Sequence, residues 1–179
     1  MKKTCRLIRI AIRTVLLAAF GSLLLYNGYV FVARYFLGQG MPTVFDYAAA
    51  TVASGSMADA IDTGDFIVIK AQEEYMTGDI ITFYDRESGS YITHRIILVS
   101  GDTYATKGDA NDTADNFSVP KQAVVGKVVA VWRGFGRTVT FLQSPLGLFC
   151  VACGGVLLWI ASDIFTGLFG KKKDERKED

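Results

Sequence analysis

Two charge-free stretches constrain this chain more than any other feature. Residues 14–33, between Arg13 and Arg34, are 20 positions without a charge, and residues 138–162, between Arg137 and Asp163, are 25 more. About 20 apolar residues carry a helix across the hydrocarbon core of a bilayer, so both stretches predict membrane spans. In a chain of 179 residues, that leaves room for one compact domain between them.

The first stretch follows a basic start (Lys2, Lys3, Arg6, Arg9, Arg13), as a cleaved secretory signal would. Its apolar part exceeds the roughly 7 to 15 residues of a signal, and no small-x-small site closes it. Ala48-Ala49-Ala50 lies too far downstream, so the stretch is expected to be an uncleaved anchor. In the second stretch, Pro145 and Gly154-Gly155 are compatible with a membrane helix, where neighbouring groups satisfy the freed backbone.

Charge sets the orientation. Lys171, Lys172, Lys173, Arg176 and Lys177 follow the second stretch, while residues 35–136 carry 13 acidic and 7 basic side chains. Basic residues stay on the cytoplasmic side, so both termini are expected to be cytoplasmic and the central domain extracytoplasmic. The overall charge of +1 hides this split. Basic residues confined to tails suit anionic lipid, not nucleic acid. The expected layout is a basic N-terminus over 1–13, a membrane helix over 14–36, an extracytoplasmic domain over 37–137, a second membrane helix over 138–166 and a charged tail over 167–179.

The central domain reads as mainly β. Phe66-Ile67-Val68-Ile69, Ile80-Ile81-Thr82-Phe83-Tyr84, residues 91–99 and residues 124–132 are short runs rich in Ile, Val, Tyr and Phe, each bounded by Gly, Asp or Ser turn formers. No long 3.6-residue period interrupts them, which predicts a small coiled sheet or barrel. Cys150-x-x-Cys153 supplies two ligands where tetrahedral zinc takes four, so it predicts no metal site.

Three polar features stand out in that domain: the turn Ser54-Gly55-Ser56-Met57, the single histidine His94, and the loop over residues 106–115 with Asp109, Asp112 and Asp115. Each alone is ordinary. Together they hold the parts of an acyl-transfer site. A serine hydroxyl becomes nucleophilic when a base within hydrogen-bond reach takes its proton, and imidazole accepts and returns a proton around neutrality. A carboxylate holds the ring in the required tautomer. Ser54, two residues before Ser56 on a glycine-containing turn, could offer its hydroxyl to the oxyanion.

In order, Ser54-Gly55-Ser56-Met57, Gly64-Asp65, Gly78-Asp79-Ile80-Ile81, Thr93-His94-Arg95-Ile96 and Lys107-Gly108-Asp109-Ala110-Asn111 resemble the boxes of type I signal peptidases. The resemblance runs over roughly residues 50–130. His94 before Arg95, where the typical bacterial branch has Lys, is similar to the Ser-His branch of the endoplasmic reticulum, archaea and some Gram-positive bacteria. The resemblance implies Ser56 as nucleophile and His94 as general base. Asp115 and Asp109 match the two acidic positions, with Asp115 favoured to orient His94 and Asp109 to hold the loop. Ser54 and the Ser56 amide would form the oxyanion hole, and Lys70 would be non-catalytic. No cofactor or metal is implied.

The implied partners are secretory preproteins cleaved after small-x-small sites, the lipid bilayer and the secretion translocon. The implied location is the plasma membrane, with the endoplasmic reticulum membrane as alternative. The family usually reads Ser-Met-x-Pro, whereas Asp59 stands here at the Pro position. That departure predicts a looser cleft, a changed substrate preference or slower turnover. It also keeps open a second reading, a catalytically inactive membrane recognition or assembly subunit.

Overall fold

The computed structural model describes residues 2–38 and 40–171. The tail residues Lys172, Lys173, Arg176 and Lys177 lie outside the described residues. The chain divides into two compact units, one of the terminal segments 1–36 and 141–179 and one over Leu37–Thr140.

The terminal unit contains helix α1 (Lys2–Tyr35) and helix α3 (Pro145–Lys171), with the Arg13 guanidinium 4.5 Å from the centre of the Trp159 ring. Among the described residues one helix, over Arg13–Ala33, is by itself long and apolar enough to cross a membrane. The second charge-free stretch is not one straight helix. Helix α2 (Gly136–Gln143) ends at Ser144, and α3 leaves at an angle of 82°. The cause is local. Ser144 Oγ accepts the Gly147 amide at 3.0 Å, a side-chain N-cap of the kind worth about 1 kcal/mol. Pro145 occupies the first helical position, where its missing N–H costs nothing. Ser-Pro therefore starts a new helix here. Taken together, Gly136–Gln143 and Pro145–Ala161 are long and apolar enough for one bent span.

The β unit is one antiparallel sheet of seven strands: β1 (Tyr47–Thr51), β2 (Phe66–Lys70), β3 (Ile80–Asp85), β4 (Ser90–Ser100), β5 (Thr103–Lys107), β6 (Ser118–Pro120) and β7 (Val124–Trp132). Their spatial order is β1-β2-β7-β3-β4-β5-β6. The last strand is thus inserted between the second and third. Register shifts at Val68/Ile69, Thr82/Phe83 and Ile96/Leu98 mark bulges, which add twist and coil the sheet.

Strands β2, β3, β4 and β7 lie where Ile, Val, Tyr and Phe are dense. Alternation along them buries two apolar groups. One contains Tyr75, Ile81, Phe83, Ile96, Tyr104 and Val119, under the β3–β6 half. The other contains Ala48, Met57, Ile61, Ile67 and Ile69, under the β1–β2 half. A fully buried side chain such as Phe83 or Ile69 contributes roughly 1.5–3 kcal/mol.

Candidate active site

His94 lies in β4 opposite Ile81 of β3, with its side chain only 8% exposed. Strand alternation turns His94 and Ile96 inward and Arg95 outward. Nδ1 of His94 is 2.7 Å from Oδ2 of Asp115. The same oxygen accepts a 2.6 Å hydrogen bond from Oγ1 of Thr106, a residue with no exposed surface. The Asp115 amide in turn donates to the Thr106 carbonyl at 2.9 Å. With Nδ1–H held by the carboxylate, Nε2 keeps its lone pair, the tautomer a general base needs. The Phe83 ring meets the imidazole in a T-shaped contact, centroids 6.5 Å apart, and keeps that side apolar.

The neighbouring Arg95 grips the other acidic residue. Its Nε and Nη2 donate to the two oxygens of Asp109 at 2.9 and 2.6 Å, and its Nη1 donates to the Gly78 carbonyl at 2.8 Å. Such a two-pronged pair is among the stronger charge-assisted contacts. The hydrogen bonds from Arg95 outweigh partial burial and hold the Asp109 carboxyl below its usual range. Asp115 and Asp109 thus serve different partners. Asp112, in the same loop, is exposed.

The Ser56 turn is joined to this loop through backbone. The Ala110 amide donates to the Ser56 carbonyl at 2.9 Å. The Asp109 amide points at Sδ of Met57, 3.4 Å away, and Met57 is 2% exposed in the core beneath. Gly108 lets the loop come this close. A Cβ there would stand 2.6 Å from the Ser56 carbonyl oxygen and 2.7 Å from Nδ2 of Asn111. The residues that follow β5 therefore bear on both halves of the site, through Asp115 on His94 and through Ala110 on Ser56.

Ser56 is half-buried and Ser54 exposed. Among the described residues no hydrogen bond joins the Ser56 hydroxyl to His94; catalytic hydrogen bonds commonly tighten only when substrate is bound. Lys70 ends β2 with its ammonium 5.3 Å from the centre of the Tyr47 ring. Asp59 has φ +74°, a value proline cannot take.

Five contributors carry little signal in the sequence. Thr106 belongs to β5, a strand whose Thr and Lys residues resemble polar loop. Gly108 matters through a close approach, not a turn. Arg133, Gly134 and Gly136 bind the Ser56 turn from nearly 80 positions downstream, donating to Asp62, Asp65 and Gly64 respectively.

Comparison with known proteins places the chain in a family. The sequence model of the family described as "Signal peptidase, peptidase S26" matches residues 23–116. The chain is 38% identical over 92 residues to Signal peptidase I W of Bacillus subtilis (strain 168), across 48% of each protein. The match thus spans about half the length of that curated relative. Because the family model covers more than half of the chain, the protein belongs to the signal peptidase family, peptidase S26.

Proposed function

We propose that this protein is a membrane-anchored serine endopeptidase that removes signal peptides from exported preproteins. The observation that carries the reading is the buried 2.7 Å hydrogen bond between His94 and Asp115, in a member of this family. Ser56 Oγ attacks the scissile carbonyl carbon and His94 Nε2 takes its proton. Asp115 steadies the imidazolium. Ser54 Oγ and the Ser56 amide donate to the oxyanion. Collapse of the intermediate breaks the C–N bond, the leaving amine takes the proton from His94, and water then hydrolyses the acyl-enzyme through the same base. Asp109 keeps the loop in place through Arg95.

Substrate would dock as an added strand, its main chain pairing with a free sheet edge. Strand β1 is such an edge, and it leads within five residues to Ser56. Small pockets beside it would select small-x-small sites, as the family resemblance implies. Helix α1 would hold the β unit at the outer membrane face, and the α2–α3 pair would return the chain to the cytoplasm as a bent second span. The basic N-terminus favours this orientation. Phe45, 91% exposed and ten residues after α1, is suited to contact lipid. Phe66 instead packs on Trp132, centroids 5.8 Å apart, and Met57 is core. The plasma membrane is the proposed location, and preproteins delivered by the secretion translocon the proposed substrates.

The test is cleavage of a preprotein by detergent-solubilised wild type, Ser56→Ala and His94→Ala, with mass spectrometry of the new N-terminus. Cutting after a small-x-small site by wild type alone is expected. A folded but inert wild type would favour the inactive-subunit reading, and cutting by Ser56→Ala would remove Ser56 from its role.

A further inference from the structure

The turn carrying Ser56 is tied down by a segment beyond the family match, which ends at residue 116. Asp59 adopts φ +74°, a left-handed conformation that non-glycine residues resist. Three contacts hold it there. The Asp59 amide donates to Oδ1 of Asp62 at 3.2 Å. Nη1 of Arg133 donates to Oδ2 of the same carboxylate at 3.0 Å, and Nη2 of Arg133 donates to the Asp59 carbonyl at 3.3 Å. The three residues form a closed ring around one backbone reversal.

The next residues extend the hold. The Gly134 amide donates to Oδ1 of Asp65 at 2.7 Å and the Asp62 amide to its Oδ2 at 3.0 Å. The Gly136 amide donates to the Gly64 carbonyl at 3.0 Å. Asp65 is 3% exposed and is the fixed point. Arg133, with a side chain 65% exposed, is the adjustable one. An exposed ion pair alone contributes little, but this guanidinium also fixes the carbonyl of the strained residue.

We propose that residues 133–136, led by Arg133, form a positioning clamp that sets the Ser56 turn through the left-handed Asp59, in place of the rigidity a proline would supply. The clamp as a catalytic device rests on the peptidase reading above; as a structural device it does not. Ser56 is then held from two sides, by Ala110 on its own carbonyl and by Arg133 three residues on. Both arms act on the backbone and leave the hydroxyl free to turn toward His94.

The test uses the full chain in detergent with Arg133→Gln, Arg133→Lys, Asp59→Gly and Asp59→Pro, and reads amide hydrogen exchange over residues 55–62, thermal midpoint and steady-state cleavage. Arg133→Gln is expected to speed exchange over 55–62 by roughly three- to tenfold, with β3–β5 unchanged. It lowers kcat by a similar factor with KM nearly constant, and Arg133→Lys, able to serve one acceptor at a time, falls between. Asp59→Pro, forced to φ near −65°, loses more than Asp59→Gly, which accepts the positive φ. Exchange over 55–62 that ignores Arg133→Gln, or an Asp59→Pro protein as active and stable as wild type, overturns the clamp. Should wild type cleave nothing while exchange still follows Arg133, the clamp stands and the peptidase reading falls.

Discussion

The two halves of the site are built differently. On the His94 side, His94, Asp115 and Thr106 join through side chains, as do Arg95 and Asp109, and His94, Thr106 and Asp115 lie in a nearly dry interior. On the Ser56 side, Gly55 and Ser56 are held by backbone contacts, with Met57 below and a left-handed Asp59 beside them. The contrast suits the two tasks proposed for them. A general base must hold one tautomer and one orientation before substrate arrives, which favours buried, fully satisfied partners. A nucleophile must share its turn with an incoming peptide, so its hydroxyl stays uncommitted and the rigidity moves into the main chain.

Substitutions can break each half separately. The largest effect is expected from Asp115→Asn, nearly equal in shape, which offers His94 the wrong partner. With Asp115 in the proposed orienting role, its loss is expected to cost on the order of a thousandfold or more in kcat, measurable by single-turnover cleavage. Next comes Gly108→Ala. Its methyl would press on the Ser56 carbonyl, and a displacement of about 1 Å can cost on the order of a hundredfold. NMR of the His94 ring should show that half undisturbed, and a variant with normal kcat would dismiss the close approach as incidental. Thr106→Val removes one of two hydrogen bonds to Asp115 at nearly equal shape. A bond to a charged group is worth roughly 1.5–3 kcal/mol, so stability in urea and kcat should both fall.

The smallest effect concerns acid. Hydrogen bonds from the amides of Asp62 and Gly134 outweigh burial and hold the Asp65 carboxyl below its usual range. A carboxyl depressed in the folded state adds stability that is complete above its unfolded pKa and is lost as pH falls through the folded value. The wild-type thermal midpoint should therefore decline below about pH 4 more steeply than that of Asp65→Asn. Equal slopes would mean that Asp65 is not the acid-sensitive anchor of the Ser56 turn.

Legibility in the sequence followed the same division. Strands β2, β3, β4 and β7 announce themselves because Ile, Val, Tyr and Phe lie between Gly-Asp and Ser-Gly turns. Strand β1 does not, because its centre is Ala48-Ala49-Ala50, residues with little strand preference that pair by virtue of their neighbour β2. Thr106 is hidden for a similar reason: Thr and Lys in β5 look like loop, yet alternation along the strand buries Tyr104 and Thr106. Ser56, His94 and the two acidic positions stood out in the sequence through the resemblance, which also favoured Asp115 as the partner of His94, while the pairing of Asp109 with Arg95 left no sequence signal. The grip of Arg133 on Asp59 spans 74 positions and leaves no local pattern. The break at Ser144 was readable in principle, since Ser-Pro is an N-cap followed by a first helical position.

The strand order has a consequence for how the protein matures. Strands β3 to β6 join through near neighbours in the chain and can form early, bringing His94 and Asp115 together by local pairing. Strands β1 and β2, which flank the Ser56 turn, form a separate pair. Only β7, the last strand synthesised, bonds to both β2 and β3, and the residues just after it complete the hold on the Ser56 turn. Assembly of the sheet thus ends with the step that joins the strands flanking the Ser56 turn to those carrying His94. Under the proposed peptidase reading, a chain whose β7 has not yet paired would carry Ser56 and His94 on separate groups of strands.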